Sequence, residues 1–258
     1  MTHPITIIDE ADDGFSEAFL AFAEECGTPC RRMRLDDFAL EVAVEHEAGE
    51  VRVRPEGPLL LRPLRGSPPE ADEPERFLWN ERLAAAWSAA ALSPAKVLNR
   101  PDEWGWGCKT AYSGALLERR SGLPSAGLEV FWCGTPPDEA DAMFHQDMTT
   151  WKILDTPAAN SAAVRSRQLP PCRGWDQAIV VGARAFRVSE ADIGGQPLEE
   201  MSVAVARRLG LAFATVSWGL PADGSEAVLG RVNAFPSLYE CVPVWSDVRA
   251  ALLEELAP

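Results

Sequence analysis

The residues able to do nucleophilic or metal chemistry are few and scattered. The histidines are His3, His46 and His145, and the cysteines are Cys26, Cys30, Cys108, Cys133, Cys172 and Cys241. Zinc sites need Cys and His at close, recurring spacing, and the chain has no C-x-x-C pair. Cys26 and Cys30 stand at helical i,i+4 spacing with no second pair to complete a tetrahedron. A thiolate nucleophile needs a base beside it, and only His145 with Cys133 approaches that pattern. The cysteines are therefore expected to be buried thiols. Asp9, Asp12 and Asp13 form a carboxylate cluster, but their place just ahead of a periodic apolar run fits acids at the positive end of a helix. The cations are more telling: among 24 Lys and Arg, only Lys96, Lys109 and Lys152 are lysines. An ammonium is a compact point charge suited to a polyphosphate, whereas a guanidinium suits planar, bidentate pairing. Nine tryptophans enrich the chain. Trp175, Trp218 and Trp245 could line a ligand site, although core packing is the expected use of such large apolar rings.

The charge balance narrows the class of partner. With 24 basic against 39 acidic residues the net charge is −15, and a surface of that sign repels nucleic-acid phosphates. The apolar fraction of 47% is that of a packed globule. No apolar run approaches the roughly 18 residues of a membrane span. The start, Met-Thr-His-Pro-Ile, lacks the charged and apolar regions of an export signal, so a cytoplasmic protein is expected. At 258 residues, one large domain or two small ones would be stable.

The elements that must position these residues follow from periodicity. Ile5–Ile8 is a short buried strand, and Phe15, Phe19, Phe22 and Ala23 then recur at helical spacing up to Gly27. Arg32–Leu35 reads as a strand. Val42 and Val44, then Val51 and Val53, alternate across a Glu-Ala-Gly-Glu turn as a hairpin, and Leu59–Leu61 is a strand. A Pro- and acid-rich loop leads to a long helix from Glu75 to Leu92. A short strand follows over Val97–Pro101, with a helix from Lys109 to Ser121. Beyond it come an extended stretch at Gly127–Trp132, a short helix at Asp138–His145 and a strand at Thr149–Ile153. A hairpin spans Ala178–Val188 and a helix Leu198–Leu209. A second hairpin joins Phe213–Leu220 to Val228–Asn233 over Pro-Ala-Asp-Gly, and Asp247–Leu256 is the last helix. This mixture indicates an α/β (α+β) fold rather than a doubly wound sheet.

A helix ending in Leu209-Gly210-Leu211, a strand, an Asp-Gly hairpin and a strand ending in Val232-Asn233 resembles the closing unit of ATP-grasp ligases. Upstream, Arg62-Pro63, Glu81-Arg82 and Leu98-Asn99-Arg100-Pro101 resemble the ATP-grasp ligases that tailor ribosomal peptides, the microviridin type. Lys109–Leu123 is similar to the family's lysine-headed helix with its closing turn. Trp151-Lys152 is similar to its strand lysine, and Gln168–Asp176 with Val180-Val181-Gly182 to its hinge and following hairpin. The resemblance implies an N-terminal α/β unit over 1–65 and an ATP-grasp domain over 66–258, helical about 75–123 and sheet-rich about 127–258.

It further implies ATP as cofactor, with Lys109 and Lys152 on phosphates, Gln168 and Leu169 at the adenine hinge, and Asn233 left from a metal site. The reaction implied is ATP-dependent carboxylate–amine ligation of a peptide or amino-acid-like substrate. The metal site departs from the pattern. The family holds Mg²⁺ with an acid on the penultimate strand and a Glu two residues before the Asn, since i and i+2 on a strand share a face. Here those positions are Ser217 and Arg231. Phosphoryl transfer depends on neutralising phosphate charge, so Arg231 either meets phosphate oxygens directly or bonds a nearby acid such as Glu240 at a dead site. The alternative function is a catalytically degenerate ATP-grasp module that binds a peptide, a metabolite or a partner enzyme, with a protein partner or a homodimer as its assembly.

Overall fold

The computed structural model describes residues 3–9, 13–62, 71–101, 114–123, 129–135, 144–147, 153–154, 164–168, 172–189, 197–222 and 225–257. In chain order the first elements are β1 (Ile5–Asp9), α1 (Gly14–Glu25), β2 (Cys30–Arg34), α2 (Leu35–Glu41), β3 (Ala43–Glu47), β4 (Glu50–Arg54), β5 (Leu59–Leu61), α3 (Glu73–Leu92) and β6 (Val97–Leu98). Then follow α4 (Gly114–Ser121), β7 (Glu129–Trp132), β8 (Phe144–Asp147), β9 (Ile153–Leu154), β10 (Val164–Arg167), β11 (Cys172–Val181), β12 (Arg184–Arg187) and α5 (Leu198–Arg208). The chain closes with β13 (Phe213–Pro221), β14 (Val228–Asn233), α6 (Leu238–Cys241) and α7 (Trp245–Leu256).

Three sheets organise these elements. The first is parallel, in the order β2-β1-β5-β6. Every residue of β1 is buried, as a parallel strand covered on both faces requires. Ile5, Ile7 and Leu60 pack with Phe15 and Phe19 of α1 and Val248 and Leu252 of α7. Ile8, Leu59 and Leu61 pack with Phe38 of α2 and Ala86 and Ala90 of α3. The second sheet, β7-β10-β8-β9, and the third, β12-β11-β13-β14, are antiparallel. β3 and β4 form a separate hairpin. One face of the third sheet, with Val180, Ala214, Val216, Trp218 and Val232, joins the core containing Leu198, Val205 and Ala206 of α5. Trp218 is 1% exposed and donates its indole N–H to Ser202 at 2.8 Å.

The structure departs from the sequence expectations at several elements, and β10 and α6 stand where none was expected. Phe144–Asp147 is a strand, so the helix expected to reach His145 does not end there. Leu35–Glu41 is a helix with its apolar Leu35 and Phe38 buried, where no helix was expected. α3 starts earlier than Glu75, at a capping box in which Asp72 accepts from the Glu75 N–H at 2.9 Å and Glu75 from the Asp72 N–H at 3.2 Å. The thiols of Cys26 and Cys133 are exposed rather than buried, while Cys241 is buried. Cys108 lies outside the described residues.

Asn99 fixes the first sheet to the third. Its carboxamide N–H groups donate to the carbonyls of Phe213 (2.6 Å) and Ala234 (2.8 Å), and its oxygen accepts from the N–H groups of Ala212 (2.9 Å) and Phe213 (2.8 Å). A buried carboxamide used at both ends satisfies four backbone groups that would otherwise be orphaned. Arg100 beside it closes the C-terminal end of α3, donating to the carbonyls of Ala90, Ala91, Ser93 and Ala95. The Asn-Arg dipeptide is thus structural cement, and it sets where β13 begins and β14 ends.

Candidate functional site

The register of the third sheet defines the site. Gln177 on β11 lies opposite Ser217 on β13, and Ser217 lies opposite Arg231 on β14. One pleat away, Ile179, Thr215 and Asn233 form the next row. Directly opposed residues share a face, and so do residues two apart on a strand. Gln177, Ser217, Arg231, Thr215 and Asn233 therefore project from the face turned away from Val216 and Val232, which pack with α5. Apolar residues alternate with polar ones along β13, and the polar set forms a floor.

Gly219 and Gly230 let Trp175 lie close to that floor. A Cβ on Gly219 would stand 3.2 Å from the indole Cη2, and one on Gly230 would stand 3.0 Å from the same atom and 3.1 Å from the Ser217 carbonyl. The glycines are required by this close approach of a ring to bare backbone. Trp175 remains 39% exposed.

Asn233 is engaged locally. Its oxygen accepts from the Phe235 N–H at 3.0 Å, and its amide nitrogen donates to the Phe235 carbonyl at 3.1 Å and to Glu240 at 3.1 Å. Glu240 also accepts from the Ser237 N–H at 2.8 Å and the Ser237 hydroxyl at 2.9 Å. The acid that offered a partner for Arg231 is thus held by Asn233 and Ser237. Among the described residues no hydrogen bond or ion pair joins Arg231 to another side chain.

The second sheet brings a further arginine. Arg165 on β10 is 6% exposed and donates from Nε to Glu129 at 2.5 Å, and Glu129 accepts the Gly114 N–H at the start of α4 at 2.7 Å. Burial lowers the pKa of Arg165, the Glu129 carboxylate opposes that shift, and the Arg231 charge adds to the lowering. The charge of Arg231 on the third sheet thus acts on Arg165 of the second. Nearby on β10, the Ser166 hydroxyl joins the Trp132 indole N–H at 2.6 Å and His145 Nδ1 at 2.8 Å. His145 is 2% exposed and bonded to this serine, while the Cys133 thiol is exposed.

Lys109, Lys152 and Leu169 lie outside the described residues. Gln168 follows β10 and is exposed. Lys96 is ion-paired with Glu255. Asp9 pairs with Arg32 at 2.7 Å, and Asp13 pairs with Arg62 at 2.7 Å and accepts the Ser16 hydroxyl at 2.8 Å. These two acids hold arginines; the Asp13 side chain makes no cap bond. Arg165, Gln177 and Thr215 were not singled out from the sequence. The alternation of Thr215, Ser217 and Gly219 with Ala214, Val216 and Trp218 carried the signal for Thr215.

The residues present do not fit a magnesium ion in the manner of the ATP-grasp pattern. Arg231 and Ser217, where the resemblance leads one to expect carboxylates, offer none, and the Asn233 oxygen is engaged by a backbone N–H. Asp176 on β11 lies opposite Trp218 on the other face, bonded by Arg187 at 2.9 Å and Ser189 at 2.8 Å. A divalent cation needs anionic oxygens converging on it, and this floor presents a guanidinium instead.

No family model matches the chain, and no curated protein matches it in sequence. Solved structures do match, along nearly the whole chain. The ATP-grasp ligase PsnB, complexed with precursor peptide PsnA2 and AMPPNP, is 14% identical and aligns with 99% of this chain and 98% of its own, at a TM-score of 0.67. Macrocyclase MdnC from Microcystis aeruginosa MRC, bound with precursor peptide MdnA, is 14% identical over 99% of each chain, also at 0.67. A RiPP-associated ATP-grasp ligase from Chryseobacterium gregarium, in complex with ADP and a leader and core peptide, is 10% identical over 100% of this chain and 98% of its own, at 0.60. Matched end to end, the chain has the fold of these ATP-grasp ligases.

Proposed function

We propose that the chain binds ATP or a related nucleotide between its second and third sheets, as an ATP-grasp protein resembling carboxylate–amine (peptide) ligases but with altered metal use. The observation that carries this reading is the polar floor that Gln177, Ser217 and Arg231 form in register across β11, β13 and β14. Basic and hydroxyl groups on one face are suited to phosphate oxygens. Lys109 and Lys152 supply further phosphate contacts in this reading, and Gln168 and Leu169 the adenine hinge. A peptide or amino-acid-like substrate is the natural second ligand, because the similar structures hold precursor peptides.

Thermal unfolding with ATP and ADP, each with and without Mg²⁺, tests it. A ligand at 100 times its dissociation constant adds about 2.7 kcal/mol, several degrees at this size. The shift is expected to shrink in Lys109→Ala and Lys152→Ala. Absence of any shift with either nucleotide would overturn the reading.

A second reading keeps the fold without the reaction: a degenerate module that binds a peptide, a metabolite or a partner enzyme. It is favoured by Asn233, whose carboxamide is spent on Phe235 and Glu240. Sustained Mg²⁺-dependent ATP turnover that disappears in Lys152→Ala would exclude it.

A further inference from the structure

Where ATP-grasp chemistry calls for a cation held by carboxylates, this chain presents cationic and hydroxyl side chains. Arg231 extends from the face that also carries Ser217 and Thr215. Its charge reaches Arg165, which is buried and anchored through Glu129 to the first turn of α4. The Arg231 guanidinium has no side-chain hydrogen bond or ion pair among the described residues, and its charge opposes that of Arg165. Like charges brought together in a partly desolvated corner cost free energy unless an anion lies between them. A second observation is Thr215, which is 1% exposed and whose buried hydroxyl has no hydrogen-bond partner among the described residues. Buried hydroxyls are normally satisfied, so an orphan one pleat from the arginine is a group made for something not yet there.

We propose that this corner is a metal-free oxyanion site, in which Arg231 together with Arg165 takes a phosphoryl group directly and Ser217 and Thr215 donate hydrogen bonds to it. The inference rests on the nucleotide reading for which phosphoryl compound is bound, though not for the chemistry of the site. Arg231 does by direct pairing what a bridging cation does elsewhere, because a guanidinium offers two parallel N–H donors to one phosphate. The arrangement also explains why Arg231 and Ser217 depart from the acidic pattern together. A lone arginine beside a retained acid would form a salt bridge and close the site, whereas serine leaves the guanidinium available and adds a donor.

The test is calorimetric titration of the full chain with inorganic pyrophosphate and with ADP, in EDTA and again in excess Mg²⁺. Both are expected to bind in EDTA, and Mg²⁺ is expected to weaken binding by neutralising the phosphates. Arg231→Ala should weaken both by roughly tenfold or more, the loss of a charge-assisted pair, and Arg231→Lys should recover part of that. Thermal midpoints of both variants identify a folding defect, and Arg231→Lys keeps the comparison open if Arg231→Ala unfolds. The double variant Ser217→Asp/Arg231→Glu should stop binding in EDTA and acquire a requirement for Mg²⁺.

Wild-type binding of ADP only with Mg²⁺, or unchanged affinities in Arg231→Ala, would overturn the inference and leave the nucleotide reading standing. Pyrophosphate bound in EDTA and lost in Arg231→Ala, with ADP not bound, would uphold the oxyanion site while removing the nucleotide reading. Binding of neither compound would overturn both.

Discussion

Asn233 gives an amide N–H to Glu240 at 3.1 Å, and through that bond the end of β14 is held to the first turn of α6. Glu240 also closes the capping box with Ser237. Glu240→Ala removes both, and a charged hydrogen bond with a cap contact contributes about 2 kcal/mol. The thermal midpoint is expected to fall by several degrees. Glu240→Gln, which can keep an acceptor in place, should fall less.

Asn99 gives a larger effect. Its replacement by Ala leaves two buried carbonyls and two buried N–H groups of the third sheet without this partner. Each unsatisfied buried group costs about 1–3 kcal/mol, so a loss of 3 kcal/mol or more is expected. A urea titration reading both tryptophan fluorescence and circular dichroism measures it. A loss under about 1 kcal/mol would mean that the two sheets are fastened elsewhere.

Arg62 and Asp13 make part of the stability depend on pH. Burial alone would raise the pKa of Asp13, but its hydrogen bond and ion pair with Arg62, with help from Ser16, hold it below the ordinary 3.8. A carboxyl whose folded pKa is depressed stabilises the fold above its unfolded pKa, and that stability is lost as pH falls through the lower, folded value. Arg62→Met should therefore lose stability at neutral pH and show a shallower decline below pH 3.8 from this pair. Midpoints of both proteins between neutral and strongly acidic pH read out the difference, and parallel acid limbs would contradict it.

Gly230 has no room for a methyl group beneath Trp175. Gly230→Ala should displace the indole and cost about 1–3 kcal/mol, as overpacking does. The tryptophan emission should shift, and Trp175→Leu in the same chain should restore much of the stability. Equal stability of Gly230→Ala and wild type would show that the ring moves freely.

The thiols should react in a fixed order. Burial, then the charge of Glu240, pushes Cys241 up to about 12, and burial pushes Cys30 up to about 11. Raised values mean little thiolate, so alkylation is slow. Cys26 and Cys133 are exposed and should label first with iodoacetamide under native conditions, and Cys241 only on unfolding. Peptide mapping by mass spectrometry distinguishes the sites. Early labelling of Cys241 would indicate that α6 opens readily.

Periodicity located the elements that repeat a pattern within one segment. The β3–β4 hairpin, α5 and the β13–β14 pair all declare themselves by alternating or helically spaced apolar residues. β8 did not, because its four residues, Phe-His-Gln-Asp, carry no alternation, and it is defined by its pairing with β10. α2 was missed because Leu35 completes an apparent strand with Met33, although it is the first residue of the helix. For the proposed site, order along the chain points to Ser217, Arg231 and Asn233, which the register of β13 and β14 puts on one face. Arg165 was not legible in that way, since what distinguishes it among 24 basic residues is a neighbour 66 positions away on another sheet. The engagement of Asn233 with Glu240 was likewise invisible until α6 turned back on the strand.

The fastening of Asn99 also bears on how the chain is made. Its last acceptor, the Ala234 carbonyl, lies 135 residues later. At about 5–20 residues per second, the ribosome needs roughly 7–27 s to supply it. During that interval α7 does not yet exist, and the flank of Ile7 and Leu60 that it helps to cover lies open. The cover of the first sheet is therefore complete only once the C-terminal residues have been made.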